Sequence, residues 1–276
     1  SAANIDALSN FLIECGAPGV VLKNNGLEAF FAGPLAGPSL RRDIARFVDA
    51  ITRLSPRAQK PRLQWKIVKQ TDWEHSWKRF IKPRRVGESL WVTPPWLAPP
   101  KFRRRRVITI EPGMAFGTGT HATTRGCMEF LEIVAARFDG ESFSALDVGT
   151  GSGILAIAAA RLGAREIRAI DNDPVALRVA RENIRANGVA QRVHLSDARP
   201  NRIRSKFDVV LANLTAETIV ELGADLEKKV VAKGFLVLSG ILHRKASAVA
   251  GRFAAHFRVL KGKRSGEWAT LLLQRR

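Results

Sequence analysis

The sequence predicts an α/β protein with a doubly wound parallel sheet that carries an antiparallel hairpin at one edge. Three observations support this prediction. Strand-like and helix-like segments alternate through the second half of the chain, a glycine-rich turn at 149–153 follows an apolar stretch, and the last two apolar stretches have no helix between them. Strands that are joined without a crossover pair antiparallel, so the last strand should form a hairpin.

Hydrophobic periodicity gives the elements of this half of the chain. In order, they are strand 107–110, helix 124–137, strand 143–148, helix 153–162, strand 165–171, helix 174–187, strands 191–196 and 207–213, helix 216–231, strand 234–239, helix 243–256, and strands 257–260 and 267–273.

The first 70 residues have a different pattern. The predicted elements are helix 4–16, strands 19–22 and 27–31, helix 40–54 and strand 63–69. The order α, β, β, α, β is that of a small split α+β (ferredoxin-like) sandwich without its first strand. A unit of this size has a small core, so we expect it to dock or present a partner.

Between these regions the chain is rich in tryptophan, proline and arginine. Four tryptophans, Trp73, Trp77, Trp91 and Trp96, are interleaved with prolines and basic residues. Such tryptophans can stack on bases or a peptide, but we favour a linker anchored against a neighbouring domain. The sequence thus predicts a small α+β domain at 1–70, a linker at 71–106 and a larger domain at 107–276.

The chain is strongly basic, with 45 Lys and Arg against 25 Asp and Glu, a formal charge of +20. The densest run, 101–106, is either a solvated basic face or a surface that contacts RNA, and composition does not separate the two. No apolar run approaches the ~20 residues of a membrane span, and no secretory leader is visible. With only Cys15 and Cys127, we expect a cytoplasmic protein without disulfides.

The glycine turn predicts the kind of ligand. Gly149, Gly151 and Gly153 alternate between the strand and a helix, where the backbone turns sharply and the first helical amides face a ligand. A dinucleotide site would need a glycine where Ile154 stands, and a phosphate-binding loop would need a lysine. Asp171 ends the next strand, where a carboxylate suits a ribose diol. S-adenosylmethionine is therefore the leading candidate, the alternative being a turn without a nucleotide; we predict no metal site.

Several motifs together resemble those of the bacterial PrmA family. They are Thr71-Asp72-Trp73-Glu74-His75-Ser76-Trp77, Pro112–His121 with its Phe-Gly-Thr-Gly-Thr-His ending, the Asp147–Gly153 turn, Asp171-Asn172-Asp173-Pro174, Asn213-Leu214, and Leu238-Ser239-Gly240-Ile241-Leu242. The resemblance implies a seven-stranded methyltransferase domain behind a ferredoxin-like recognition domain. It also implies S-adenosylmethionine-dependent methylation of lysine side-chain and N-terminal amines of protein eleven of the large ribosomal subunit.

The resemblance further implies the cofactor contacts. These are Thr124, Gly149, Gly151, Asp171 and Asn213, together with Phe116, Thr120 and His121 in the loop that lies over the cofactor in this family. We expect a monomer whose basic surface favours a ribosomal, RNA-containing particle over a free basic protein.

Individual side chains have more than one interpretation. Asn213 ends a strand at the ligand-binding edge and is our candidate for positioning the acceptor amine. His121 either shuttles a proton or is a hydrogen-bonded structural residue. Asp197 either accepts from the adenine or caps a loop, and Asp147 is expected to fix the glycine turn. No residue is predicted as a dedicated general base.

Two other functions remain open at this point. The charge also fits an RNA-binding or RNA-modifying methyltransferase, although Asn213-Leu214-Thr215-Ala216 lacks the Asn/Asp-Pro-Pro-Tyr/Phe pattern of the enzymes that methylate base amines. The same cofactor site would also serve methylation of a different basic protein.

Overall fold

The computed structural model describes residues 8–9, 11–13, 15–17, 19–23, 26–31, 37–53, 61–66, 82–97, 106–111, 119 and 121–276. The chain divides into two compact units, residues 1–74 and residues 75–276. Among the predicted features, Phe116, Thr120, Trp73, Trp77 and all but the last residue of the basic run 101–106 lie outside the described residues. None of the helices that the structure describes has the length and apolar character that crossing a bilayer requires.

The described part of the first unit has helical residues at 8–9 and 11–13, within the predicted helix 4–16, together with a hairpin, a longer helix and a small apolar core. Strands β1 (Val20–Lys23) and β2 (Gly26–Ala29) pair antiparallel, and helix α1 spans Pro38–Arg53. Leu40, Ile44 and Val48 are buried, because their spacing places them on one face of α1. The predicted strand at 63–69 is wrong in its described part: residues 61–66 belong to no strand and are all exposed, so their alternation does not mark a buried face.

The second unit contains the predicted sheet. Its seven strands are β6 (Ser144–Val148), β7 (Glu166–Ile170), β8 (Val193–Ser196), β9 (Phe207–Asn213), β10 (Val230–Leu242), β11 (Phe257–Ser265) and β12 (Trp268–Arg275). They lie in the order β11-β12-β10-β9-β6-β7-β8. Strands β6 to β10 pair parallel, whereas β12 pairs antiparallel with both β10 and β11. The predicted fold class, including the closing antiparallel hairpin, is confirmed.

Helices cover both faces of this sheet. On one face lie α2 (Ala122–Ala135), α3 (Ile154–Arg161) and α4 (Pro174–Ala186); on the other lie α5 (Ala216–Glu221), α6 (Gly223–Lys229) and α7 (Ala246–Phe253). Alternate strand residues feed the two cores: in β9, Val209 packs in the first and Val210 in the second. A sheet buried on both faces explains why its strands read as continuous apolar runs.

A second, three-stranded sheet takes two of its strands from the region that the sequence predicts as a linker. It consists of β3 (Arg84–Val86), β4 (Leu90–Thr93) and β5 (Arg106–Thr109). Val86, Leu90 and Ile108 are buried in the core beneath α2, and the α2 carboxylate of Glu132 accepts hydrogen bonds from the turn that joins β3 to β4. The described part of 82–106 is therefore folded structure within the larger unit, because the apolar residues of its short strands share one core with α2 and α3.

Several predicted elements differ in extent, among them the strand expected at 257–260, which extends over 257–265, and the helix expected at 243–256, which spans 246–253 after a 3-10 turn. The helix expected at 216–231 is two short helices, since Leu222 adopts φ −80° and ψ 0° and Gly223 follows it. The strand expected at 234–239 extends over 230–242 and includes irregularities in both of its ladders. One of them contains Gly240 at φ 82°, a conformation that favours glycine.

Candidate functional site

The turn after β6 is built from glycines in left-handed conformations. Gly149, Gly151 and Gly153 have φ values of 72°, 55° and 82°. The amides of Gly149 and Thr150 both donate to the carbonyl of Ile170 at the end of β7, at 2.9 and 3.0 Å. Gly153 then begins α3 as its N-cap residue. The turn is thereby tied to the neighbouring strand, and its last residues direct the start of α3 toward the edge of the sheet.

Asp147 supports this turn from beneath, as the sequence predicts. Its Oδ2 atom accepts from the hydroxyl of Thr150 at 2.6 Å and from the amide of Ala156 at 3.2 Å. The side chain is fully buried, and its Oδ1 atom has no hydrogen-bond partner among the described residues. Burial raises the pKa of Asp147 to about 7, and the charge of Asp171 adds to the rise, against the two hydrogen bonds that lower it.

This raised pKa predicts a pH dependence of stability. Because the folded pKa of Asp147 lies above that of an unfolded aspartate, its contribution is present at low pH and is lost as the pH rises through about 7. Between pH 5 and 8, the free energy of unfolding of the wild type should fall relative to Asp147→Asn by about 2–3 kcal/mol. Urea unfolding of the ligand-free protein measures this, with exposed Glu166→Gln as the control; parallel pH profiles for wild type and Asp147→Asn would contradict it.

Asp171 links the glycine turn to the end of β7. Its Oδ2 atom accepts from the amide of Gly151 at 2.9 Å, and its Oδ1 atom accepts from the amide of Asp173 at 3.0 Å. Asp173 in turn caps α4 by accepting from the amide of Val175 at 2.8 Å, with Pro174 at the first helical position. Each carboxylate oxygen of Asp171 retains lone pairs, so it can also accept hydrogen bonds from a ligand's hydroxyls.

A cavity of about 310 Å³ opens beside Asp171 at the carboxyl edge of the sheet. Its walls come from the ends of four neighbouring strands, β6 to β9, and from α5. Apolar walls at Val148, Ile170 and Leu214 face polar groups that include Asp171 and Asp197. Its size and its mixture of apolar walls with few polar groups are those of a small-molecule site, and parallel sheets bind ligands at this edge.

Asn213 and Thr124 meet on the other side of the glycine turn. Asn213 is the last residue of β9, and its Nδ2 atom donates to the hydroxyl of Thr124 on α2 at 3.4 Å. The Oδ1 atom of Asn213 is buried without a hydrogen-bond partner among the described residues. A buried acceptor of this kind is costly in an empty site, so it is suited to a donor that a ligand brings.

His121 begins α2. It is the N-cap residue, with Nδ1 2.7 Å from the Thr123 hydroxyl and accepting from the Thr123 amide at 3.4 Å. Its ring lies edge-on to Trp268, with the ring centroids 5.1 Å apart. Burial, and then the charge of Arg125, lower the pKa of His121. These contacts favour the structural interpretation of His121, which holds α2 and therefore Thr124 in place.

The segment that follows Asn213 is fixed against β10. The amide of Leu214 donates to the carbonyl of Ser239 at 3.0 Å, and the Ser239 hydroxyl pairs with that of Thr270 at 2.8 Å. Leu214 also lies close to Gly149, where an added Cβ would come within 2.4 Å of its Cδ2 atom. Leu214 therefore joins the glycine turn to the end of β9, and it lines the cavity directly after Asn213.

The structure brings together most of the described residues that the sequence predicts for the site. Gly149 and Asp171 line the cavity, Gly151 donates its amide to Asp171, and Thr124 and Asn213 contact each other. The sequence analysis missed Arg199, Thr218 and Glu221, which also line the cavity. Their positions in the sequence could have identified them, because they follow β8 and β9, whose carboxyl ends lie at the same edge of the sheet as Asp171.

The order of the sheet, with a glycine turn after β6 and an acid after the neighbouring strand β7, defines the class of α/β methyltransferases. The profile described as ribosomal protein L11 methyltransferase (PrmA) matches residues 1–276. The chain belongs to this family.

Individual relatives agree. The ribosomal protein L11 methyltransferase of Geobacter sulfurreducens is 39% identical over 290 residues, covering 98% of this chain and 94% of the relative. That of Pelobacter propionicus is 36% identical over 291 residues, covering 98% and 93%. The crystal structure of ribosomal protein L11 methylase from Lactobacillus delbrueckii subsp. bulgaricus matches with a TM-score of 0.64 and 30% identity over 71% of this chain and all of that chain.

Proposed function

We propose that this protein transfers methyl groups from S-adenosylmethionine to lysine side-chain and N-terminal amines of the large-subunit ribosomal protein L11. The substrate protein comes from the names of the relatives, and the cofactor and the acceptor amines are our inference. The observation that carries the proposal is the cavity beside Asp171, next to the glycine turn. The Asp171 carboxylate already accepts a hydrogen bond from the Gly151 amide of that turn.

The residues fit a sulfonium nucleoside. Asp171 would hold the ribose hydroxyls, and Asp197, which lines the cavity, would accept from the adenine amino group. Gly149 and Gly151 allow the ligand to approach the backbone closely. Thr124 and Asn213 would contact the amino-acid part, with His121 holding the start of α2. Phe116 and Thr120 are assigned to the cofactor through the family resemblance alone.

Bound in this site, S-adenosylmethionine would supply an electrophilic methyl group. The acceptor must then be a neutral amine, although a free lysine with a pKa near 10.4 is almost wholly protonated at pH 7. Burial of the acceptor lowers its pKa and favours the neutral form. The Oδ1 atom of Asn213 accepts a hydrogen bond from the amine and orients its lone pair; an amide is not a base, so the proton leaves to solvent.

The wider context of the reaction is also a proposal. Residues 1–70 would recognise the substrate protein, and residues 107–276 would carry the reaction as a monomer in the cytoplasm. The formal charge of +20 opposes simple attraction to a free basic protein and favours docking on a particle that contains ribosomal RNA.

The direct test is methylation of the purified ribosomal protein, free and within large subunits, followed by intact-mass analysis. We expect the mass of that protein to rise by whole methyl groups. A substrate whose amines have been acetylated should gain none, which identifies amines as the acceptors. Methyl groups transferred to the ribosomal RNA, or no mass increase of the protein in either form, would contradict the proposal.

A further inference from the structure

Asn183 in α4 and Asn187 at its C-cap, one helical turn apart, hold the end of β5. The side chain of Asn187 accepts from the amide of Thr109 at 2.9 Å and donates to its carbonyl at 2.6 Å. The Oδ1 atom of Asn183 accepts from the amide of Glu111 at 3.3 Å. Both side chains are about 5% exposed or less. The chain is thus fixed by buried amides just before the segment 112–120, which contains the glycine-rich motif of the family.

Asn183 makes a second contact, with the glycine turn itself. Its Nδ2 atom donates to the carbonyl of Ser152 at 2.9 Å, in a place where the Ser152 side chain is buried. On the same helix, Ala180 lies 3.3 Å from the position that a Cβ on Gly153 would occupy. Helix α4 therefore packs directly against the turn, and Asn183 bridges the turn to Glu111.

We propose that Asn183 is a positioning residue of the cofactor site, which fixes the glycine turn and the chain entering the segment 112–120 in one arrangement. This inference rests on the proposed use of S-adenosylmethionine. Asn183 touches neither the cavity walls nor the acceptor site; it acts through Ser152 and Glu111.

The bridge affects cofactor binding because it fixes the glycine turn and the end of β5 before the cofactor binds. A buried carbonyl or amide that loses its partner is unfavourable, so without the bridge the turn and the β5 end adopt other arrangements. A ligand that needs one arrangement then binds only the fraction of molecules that has it. Loss of the bridge should therefore weaken cofactor binding in a protein that is still folded.

The test compares two amides on one helix. Asn183→Leu removes both contacts of the bridge, whereas Asn187→Leu frees Thr109 and the backbone carbonyl of Asn183 and leaves the glycine turn untouched. Asn183→Asp is the milder variant: it keeps an acceptor for the Glu111 amide and loses the donor to Ser152. Exposed Glu182→Ala on α4 is the control. Calorimetry with S-adenosylhomocysteine gives the dissociation constant, and hydrogen exchange of the Glu111 amide reports the bridge without ligand.

We expect Asn183→Leu and Asn183→Asp to weaken S-adenosylhomocysteine roughly tenfold, and Asn187→Leu to weaken it by much less. Exchange at Glu111 should accelerate in Asn183→Leu and stay protected in Asn183→Asp. Equal affinities in Asn183→Leu and Glu182→Ala, or equal losses at both asparagines, would overturn the inference. If the wild type fails to bind the nucleoside, the proposed function fails, and unchanged exchange in Asn183→Leu would separately overturn the bridge.

Discussion

Asp171→Ala is expected to raise the dissociation constant of S-adenosylhomocysteine by about 10- to 150-fold, or about 1.5–3 kcal/mol. The carboxylate is the one charged acceptor at the end of β7, and it lines the cavity while it holds the amide of Gly151. Its removal therefore takes away both the ligand's hydrogen bonds and a support of the turn.

Titration calorimetry measures this loss, and Glu166→Ala is the matched control. Glu166 is an exposed acid at the opposite end of the same strand, so its removal changes the net charge equally and leaves the cavity intact. The control should bind like the wild type. An Asp171→Ala protein that binds as tightly as Glu166→Ala would remove Asp171 from the site.

Gly240→Ala is expected to lower the free energy of unfolding by about 2–5 kcal/mol. Gly240 has φ 82°, which costs an alanine about 1–2 kcal/mol, and its Cβ would stand 2.2 Å from the carbonyl oxygen of Leu214. That neighbour is backbone, so relief requires β10 and the residues after Asn213 to separate. Because Leu214 follows Asn213 directly, cofactor affinity should fall together with stability.

Urea unfolding of Gly240→Ala and two other glycine variants separates the cost of the left-handed conformation from the cost of the clash with Leu214. Gly266, at the tip of the last hairpin, has φ 60° with open space around its Cβ position, so Gly266→Ala should cost only about 1–2 kcal/mol. Gly251 in α7 has open space and no left-handed conformation, so Gly251→Ala should not destabilise. Equal losses of unfolding free energy in Gly240→Ala and Gly266→Ala would show that Leu214 moves away at no cost.

Much of the central sheet could be predicted from the sequence, because its signals are local. The stretch 207–213 is apolar except for Asp208 and ends at Asn213, and the strand has those bounds in the structure. The glycine turn could also be predicted, since alternating glycines after an apolar strand occur in few other structures. Asp147 was expected to fix that turn, and its bonds to Thr150 and Ala156 confirm it.

The parts that were missed depend on contacts between distant residues. Strands β3 and β4 are three and four residues long, and they are recognisable only through their burial under α2. The contact between Asn213 and Thr124 joins residues 89 positions apart, and the bridge through Asn183 spans 72 positions to Glu111. The sequence around an asparagine inside a helix does not indicate which distant residue it contacts, so such pairs can be identified only from the structure.

A crystal structure of the chain grown with S-adenosylhomocysteine would test the central claim most directly. We predict that the ribose hydroxyls lie on the carboxylate of Asp171, that the base fills the cavity between Leu214 and Asp197, and that the amino-acid part reaches Thr124 and Asn213. A cavity that stays empty at saturating ligand, or a nucleoside bound elsewhere on the chain, would contradict it.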